Sequence, residues 1–247
     1  MEPLVSIVMP AFNSELTINE SIESVLYQTY SNWELLITDD CSTDKTANIA
    51  KQLCKLDSRI HFYSLDFNSG AGAARNNSIR VAKGRYIAFL DADDLWMNNK
   101  LELQVKHMQL TNSLLSYTAY QKFSAKGDGG VIFPKASVSY NELLYGNVIG
   151  CLTAMYDQHA LGKRYMPLIR KRQDMGLWLD ILKDIDEASL VPDVLAKYRI
   201  DSGMTQNKLT VLGYQWRFYR DVVKLGFLKS TGVFVVYGVK GLFKFLS

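Results

Sequence analysis

Two carboxylates separated by a single residue stand where an apolar run stops: Asp91-Ala92-Asp93-Asp94 closes the stretch Tyr86-Ile87-Ala88-Phe89-Leu90. A strand that ends this way puts Asp91 and Asp93 at the rim of a sheet, spaced to share one divalent cation. Hard cations such as Mg²⁺ or Mn²⁺ take oxygen ligands, and substrate phosphates commonly complete their shell. A cation held there would neutralise a diphosphate. The competing use of such acids is structural, since aspartates after a strand make turns or cap the next helix, a role open to Asp94 or Asn98.

Asp174 is the second acid with chemical promise. Trp178, Ile181, Leu182 and Ile185 recur at i, i+3, i+4 and i+7, so the spacing predicts a helix over 173–185 with one buried face. Asp174 lies one turn before Trp178 on that face and should point inward, with the helix N-terminus favouring its ionised form. A carboxylate so placed can take a proton from a hydroxyl. It can equally be a first-turn aspartate that only stabilises the helix dipole.

Positioning these acids falls to an alternation of strands and helices. Residues 4–9 read as a strand stopped by Pro10, and 14–28 as a helix with Ile18, Ile22, Val25 and Leu26 on one face. A strand over 33–38 ends at Asp39 and Asp40; Ser42 or Thr43 can cap the helix that follows. A strand over 60–65, the turn Asn68-Ser69-Gly70-Ala71-Gly72 and a helix over 73–82 lead to Gly84 and the strand that ends in the aspartates. Such alternation predicts an α/β fold, a Rossmann-like, mostly parallel sheet with helices on both faces and ligands at the carboxyl ends of its strands. Pro10 to Asn13, Asp39, Asp40, Asp91 and Asp93 then converge on one rim. Beyond residue 110 the pattern is less regular: strands over 116–123 and 150–156, a turn over 126–130, the 173–185 helix and an edge strand over 192–200.

The 247 residues are 48% hydrophobic and 21% charged, which allows a large core and excludes global disorder. A net charge of +3 is too small to point to nucleic acid. Cys41, Cys54 and Cys151 are odd in number and lack C-x-x-C spacing, as in a reducing compartment. His61, His107 and His159 are scattered and read as structural. The N-terminus lacks the features of a signal peptide, and no run reaches the roughly 18–20 apolar residues that span a bilayer. A cytoplasmic protein is expected.

Two basic regions bear on partners. Lys163, Arg164, Arg170, Lys171 and Arg172 crowd the segment before Asp174, either as a solvated loop or as a cradle for an acceptor diphosphate. After Asp221 no acid remains, and Lys229, Lys240 and Lys244 fall within roughly 60° of one another on a helical projection. A basic stripe on an apolar helix over 226–247 is the pattern of an interfacial anchor on a membrane surface. The other reading is a helix packed on the core or on a partner.

Taken together, Ser6-Ile7-Val8-Met9-Pro10-Ala11-Phe12-Asn13, Asp39-Asp40-Cys41-Ser42-Thr43-Asp44, Asn68-Ser69-Gly70-Ala71-Gly72-Ala73-Ala74-Arg75-Asn76, Asp91-Ala92-Asp93-Asp94, Gln173-Asp174 with Leu177-Trp178, and Tyr198-Arg199-Ile200-Asp201 resemble family 2 glycosyltransferases of the GT-A fold, over about residues 4–205. Within that family the chain is most similar to bacterial enzymes that assemble O-antigen, capsule or teichuronic-type glycans. The resemblance implies an inverting, non-processive hexosyl transfer from a nucleotide-sugar, usually a UDP-sugar, to a lipid-linked glycan carried on polyprenyl diphosphate. It also implies a catalytic domain over 1–225, with a nucleotide-sugar half to about 110 and an acceptor half over 111–205.

Residue by residue, Pro10, Ala11, Phe12, Asn13 and Asp40 would hold base and ribose, supported by Asp39. Arg75 would approach the base or diphosphate, Asp91 and Ala92 the ribose, and Asp93 with Asp91 would bind Mn²⁺ or Mg²⁺. Asp174 would be the base, and Arg199, Arg170 and Arg172 would face diphosphate or acceptor. The chain departs from the family at Asp201-Ser202-Gly203, where many relatives place a histidine, and at Cys41, where glycine is common. It lacks the transmembrane helices and Q-x-x-R-W element of a processive synthase and the glycine-rich loop of a nucleotidyltransferase. The remaining alternative is a catalytically silent nucleotide-sugar-binding or scaffold subunit. For an enzyme of this kind, the cytoplasmic face of the bacterial inner membrane is the expected location.

Overall fold

A computed structural model of the protein describes residues 2–201 and 208–246, with side chains except those of 208–211 and 239–246. The chain runs β1 (Val5–Ala11), α1 (Ile18–Leu26), β2 (Trp33–Asp39), α2 (Thr46–Leu56), β3 (Ile60–Ser64), α3 (Ala71–Val81), β4 (Tyr86–Phe89), β5 (Leu95–Trp96), α4 (Lys100–Thr111), β6 (Leu115–Ser124), β7 (Gly127–Ile132), β8 (Ser137–Ser139) and α5 (Tyr140–Leu144). A 3₁₀ turn (Cys151–Thr153) then precedes β9 (Met155–Asp157), α6 (Gln158–Leu161), α7 (Gln173–Ile181) and β10 (Glu187–Arg199). After α8 (Lys208–Arg217) and a π turn (Phe218–Val222) comes α9 (Phe227–Leu246).

The strands form one sheet in the order β3-β2-β1-β4-β9-β6-β10-β5, with β7 beside β6 and β8 beside β10. The first four in that order are parallel, as the alternation predicts. Strand periodicity divides their side chains between two cores. Val5, Ile7, Met9, Leu35, Ile37 and Ala88 meet Ile18, Ile22 and Val25 of α1 and Leu101, Val105 and Met108 of α4. Val8, Leu36, Ile87 and Phe89 meet Ile79 of α3 and Leu177, Trp178 and Ile181 of α7. Each fully buried side chain of this kind stabilises the fold by about 1.5–3 kcal/mol.

The second half corrects three expectations. The segment over 192–200 is no edge strand, because β10 pairs with β6 on one side and with β5 and β8 on the other. Pro192 is tolerated there because the register shifts between Val191 and Val194, a bulge that spares its missing N–H. Residues 150–156 hold the 3₁₀ turn and only a three-residue strand, and the glycines expected as a turn over 126–130 lie largely in β7.

The glycines of α9 do not break it. Val233 is buried, and Phe234 meets the Trp216 ring edge-on at 5.4 Å. Leu228 and Val235 on the other side are exposed. One face therefore packs on the protein and another is open. The side chains of Lys240 and Lys244, named above for the basic stripe, lie outside the described residues, as do Ser202 and Gly203 of the late loop. No helix among the described residues is long and apolar enough to cross a membrane.

Candidate active site

The parallel register brings Ala11 beside Asp39 and Val8 beside Phe89, so the loops after β1, β2 and β4 emerge together. Asp39 folds the β2 loop back on itself, accepting the Ser42 N–H at 3.0 Å and the Ser42 hydroxyl at 2.5 Å. Asn13 ties in the β1 loop: its N–H donates to Ser42 Oγ at 3.0 Å and its Oδ1 accepts the Thr43 N–H at 2.9 Å. Ser42 and Thr43 thus join two loops instead of capping α2, whose Thr46 N–H is taken by Asp44 Oδ1 at 2.9 Å. Phe12 stands exposed beside this knot.

Asp40 is buried and clasps the entry to α3. Its Oδ1 accepts the Ser69 N–H at 2.7 Å and its Oδ2 the Gly70 N–H at 2.8 Å. Gly70, at φ +88°, supplies a turn that a side chain would strain. Gly72 matters for a different reason: a Cβ there would lie 3.0 Å from the Gln173 side chain, so glycine lets α3 approach the start of α7.

That approach places Arg75 between the two acidic regions. Its Nη2 meets Asp91 Oδ1 at 2.5 Å and its Nη1 donates to Gln173 Oε1 at 3.2 Å. Burial opposes a charge here, but Asp91 and, more weakly, Asp174 hold the guanidinium charged, with a raised pKa. Arg75 is therefore no solvated helix cation. Its Nε is buried without a hydrogen-bond partner.

In the Asp91-Ala92-Asp93-Asp94 turn the members differ. Asp91 and Asp93 are partly exposed, whereas Ala92 and Asp94 are buried. The Ala92 carbonyl accepts from Thr17 Oγ1 at 2.8 Å. Asp94 accepts the Arg199 N–H at 2.8 Å, and burial with Asp91 and Asp93 nearby pushes its carboxyl well above the ordinary value. So Asp94 caps no helix; it fastens this turn to the end of β10. Arg199 completes the fastening, donating from Nε to the Asp93 carbonyl at 2.8 Å and from Nη2 to Glu20 at 2.7 Å.

Asp174 starts α7 on the inner side. Its Oδ2 accepts from Asn147 Nδ2 at 2.7 Å. Burial raises its pKa, opposed by the Met175 N–H, Arg75 and Arg172, and reinforced by Asp91. The expected preference of a helix N-terminus for the ionised form is thus outweighed by desolvation. Cys151, from the 3₁₀ turn, sits in the field of Arg75, Asp91, Asp174 and Asp94, its thiol pushed well up by burial. Arg172 reaches the Tyr237 hydroxyl of α9 at 2.6 Å, and Arg170 is exposed.

The structure therefore gathers Asp91, Arg75, Gln173 and Asp174 around one point, with Asp93 in the same turn as Asp91. Asn147 and Cys151 carry no sequence signal, because an irregular loop brings them there. A separate groove of about 600 Å³, lined by Lys163, Arg164, Tyr165, Pro167, Gly176 and Leu179 among others, takes in two residues of the basic segment but none of the acids at the strand ends and neither Arg75 nor Asp174. Among the described residues no three His, Cys, Asp or Glu side chains form a ready metal cage. Two carboxylates at a strand end suit a hard cation that takes one or two protein oxygens and completes its shell with phosphate and water.

These observations agree with what the chain is similar to. A sequence profile described as "Glycosyl transferase family 2" matches residues 6–160. TuaG of Bacillus subtilis strain 168, named for teichuronic acid biosynthesis, is 40% identical over 239 residues, covering 96% of this chain and 95% of TuaG. The Escherichia coli protein named UDP-Glc:alpha-D-GlcNAc-diphosphoundecaprenol beta-1,3-glucosyltransferase WfgD is 40% identical over 241 residues, covering 96% of this chain and 94% of WfgD. The structure of Staphylococcus aureus TarS 1–349 in complex with UDP superposes with a TM-score of 0.71 at 20% identity, over 94% of this chain and 70% of that one. A mannosyltransferase from Pyrobaculum calidifontis, solved with GDP-Man and Mn²⁺, gives 0.63 at 18% identity, over 90% and 63%. A GT-A sheet whose strand ends gather these acids, matched by that profile and those relatives, makes the chain a member of glycosyltransferase family 2.

Proposed function

We propose that the protein transfers a hexosyl group, with inversion and non-processively, from a nucleotide-sugar to a hydroxyl of a lipid-linked glycan in bacterial surface polysaccharide synthesis. The observation that carries this reading is Arg75, which bridges Asp91 at 2.5 Å and Gln173 at 3.2 Å and so holds the strand-end acids beside Asp174. Inverting transfer needs a proton acceptor on one side of the anomeric carbon and charge stabilisation on the other, and this arrangement offers both within one site.

Asp174 accepts the proton of the attacking hydroxyl, and its raised pKa makes it a stronger base than an exposed aspartate. The backbone of Pro10 to Asn13, with Asp39 and Asp40 shaping the loops, receives the nucleoside. Arg75, by neutralising Asp91, keeps the strand end from repelling a diphosphate. Asp93 and Asp91 are the ligands for Mn²⁺ or Mg²⁺, which when bound stabilises charge on the departing diphosphate. Arg170 and Arg172 offer cations on the acceptor side. UDP as the carrier nucleotide is supported by the TarS complexes with UDP and UDP-GlcNAc and by the name of WfgD. A diphosphate-linked lipid as acceptor is supported by that same name. The open face of α9 suits peripheral attachment to the cytoplasmic face of the inner membrane.

The test is turnover of a UDP-sugar panel with a polyprenyl diphosphate-linked glycan. Product forms with inverted anomeric configuration, stops on chelation and returns with Mn²⁺. Asp93→Ala and Asp174→Asn each lower kcat at least about a hundredfold in folded protein. Near-normal turnover in either variant removes that residue from its role, and a protein silent with every donor is a binding or scaffold subunit.

A further inference from the structure

Asn147 lies in the loop between α5 and the 3₁₀ turn, a stretch with no periodicity and no motif. Its Nδ2 donates to Asp174 Oδ2 at 2.7 Å, while its own Oδ1 accepts the Ile149 N–H at 3.2 Å. The second bond decides which end of the amide faces the acid. A backbone donor requires the carbonyl oxygen, so the NH₂ is turned toward the carboxylate. The loop has little freedom to turn it away, because Ile149 is buried and Thr153 bonds back to the Gly150 carbonyl through both N–H (2.9 Å) and hydroxyl (2.7 Å).

We propose that Asn147 is a positioning residue for the glycosyl-transfer base: it holds Asp174 Oδ2 and leaves Oδ1 to receive the acceptor proton. The inference rests on the reading of Asp174 as the base. A base oriented by a third group is the arrangement that nucleophile activation generally requires, and a donor to the charged form of a carboxylate favours that form. The other charged or titratable groups acting on Asp174 are Arg75 from α3, Arg172 before α7, Asp91 after β4 and the Cys151 thiol. Besides the Met175 N–H of its own helix, Asn147 is a neutral donor with a direct bond to the carboxylate, and it comes from a different element.

Asn147→Ala and Asn147→Asp, compared with wild type in kcat against pH and in donor KM, test the proposal. Asn147→Asp keeps an acceptor for the Ile149 N–H, and so the loop, while replacing the donor by a second carboxylate. Asn147→Ala should lower kcat about tenfold or more, as loss of a charge-assisted hydrogen bond does, with donor KM within about twofold. Its acid limb should move to higher pH, since the ionised base has lost a donor, and Asn147→Asp should move it further. Acid limbs that coincide with wild type in both variants overturn the proposal, even if kcat falls, because a merely structural residue would not move them. Asp174→Asn separates the two failures. If it is active, the base assignment itself is wrong; if it is inactive while the Asn147 variants match wild type, only the positioning role is lost.

Discussion

Arg75 Nη2 and Asp91 Oδ1 are 2.5 Å apart, yet the two side chains are buried unequally, 9% exposed for the arginine and 29% for the aspartate. The consequence of breaking the pair therefore depends on which partner is removed. Asp91→Ala leaves a guanidinium in the interior with Gln173 and the weakly accepting Met166 sulfur as partners on one side and an unbonded Nε on the other. Arg75→Met leaves a carboxylate that water can reach. Allowing for the partial exposure of Asp91, the first variant should lose about 2–4 kcal/mol and the second about half as much. Adding Arg75→Met to Asp91→Ala should recover stability. Urea denaturation of the three variants checks this, and equal losses for both single variants would contradict it.

A second electrostatic consequence comes from Lys100, the first residue of α4. It is fully buried, its Nζ 2.6 Å from Gln104 Oε1 and 4.0 Å over the Trp96 ring. Burial pulls its ammonium from the ordinary 10.5 down to about 7. Between these values the unfolded chain binds a proton that the folded chain has released, so stability must rise with pH across that window. Below it both states carry the proton and this group adds no slope. The free energy of unfolding should climb by on the order of 1 kcal/mol per pH unit from pH 7 to 9, and Lys100→Met should flatten the climb. Parallel profiles for the two proteins over that range would show that Lys100 stays charged in the fold.

The acids at the strand ends were legible in the sequence because they obey a rule local to each strand: an apolar run stops and a carboxylate follows. Alternation then puts Asp39, Asp40 and Asp91 on one rim without any knowledge of packing. Asn147 and Cys151 obey no such rule, since only the tertiary path of an irregular loop brings them to Asp174. The direction in which the Asp174 pKa moves was hidden for a related reason. A helix N-terminus is visible in the sequence, whereas the desolvation that outweighs it is a property of the assembled site. The interior position of the strand over 192–200 was hidden in the same way, because a bulge that accommodates Pro192 inside a sheet is set by the partner strand.

Cys41 shows how a departure from the family pattern acquires a physical meaning. It sits at φ +63°, in the left-handed region, with its side chain exposed. Relatives of this type commonly carry glycine there, and glycine enters that region without a Cβ clash. Cys41→Gly should relieve the backbone at some cost in unfolded-chain entropy, for a net gain of about 0.5–1 kcal/mol and a rise in Tm of about 1–4 °C. Cys41→Val, β-branched, should lower it. A glycine variant that melts below wild type would mean that the thiol makes a contact worth more than the strain.

Attachment through α9 can be separated from its packing because the two use different faces. Val233 is 4% exposed and Phe234 lies against Trp216, while Leu228 and Val235 are 87% and 56% exposed. Glutamates on the open face should cost little folding energy, since those side chains already meet water, but each would remove about 1.5–3 kcal/mol of apolar burial from a lipid-bound state. Leu228→Glu with Val235→Glu should therefore lower partition onto anionic vesicles at least about tenfold in a sedimentation assay, with Tm unchanged. Val233→Glu should do the reverse in melting, losing stability through a carboxylate forced into the core. If the Leu228/Val235 variant sediments with vesicles as wild type does, the open face has some occupant other than lipid.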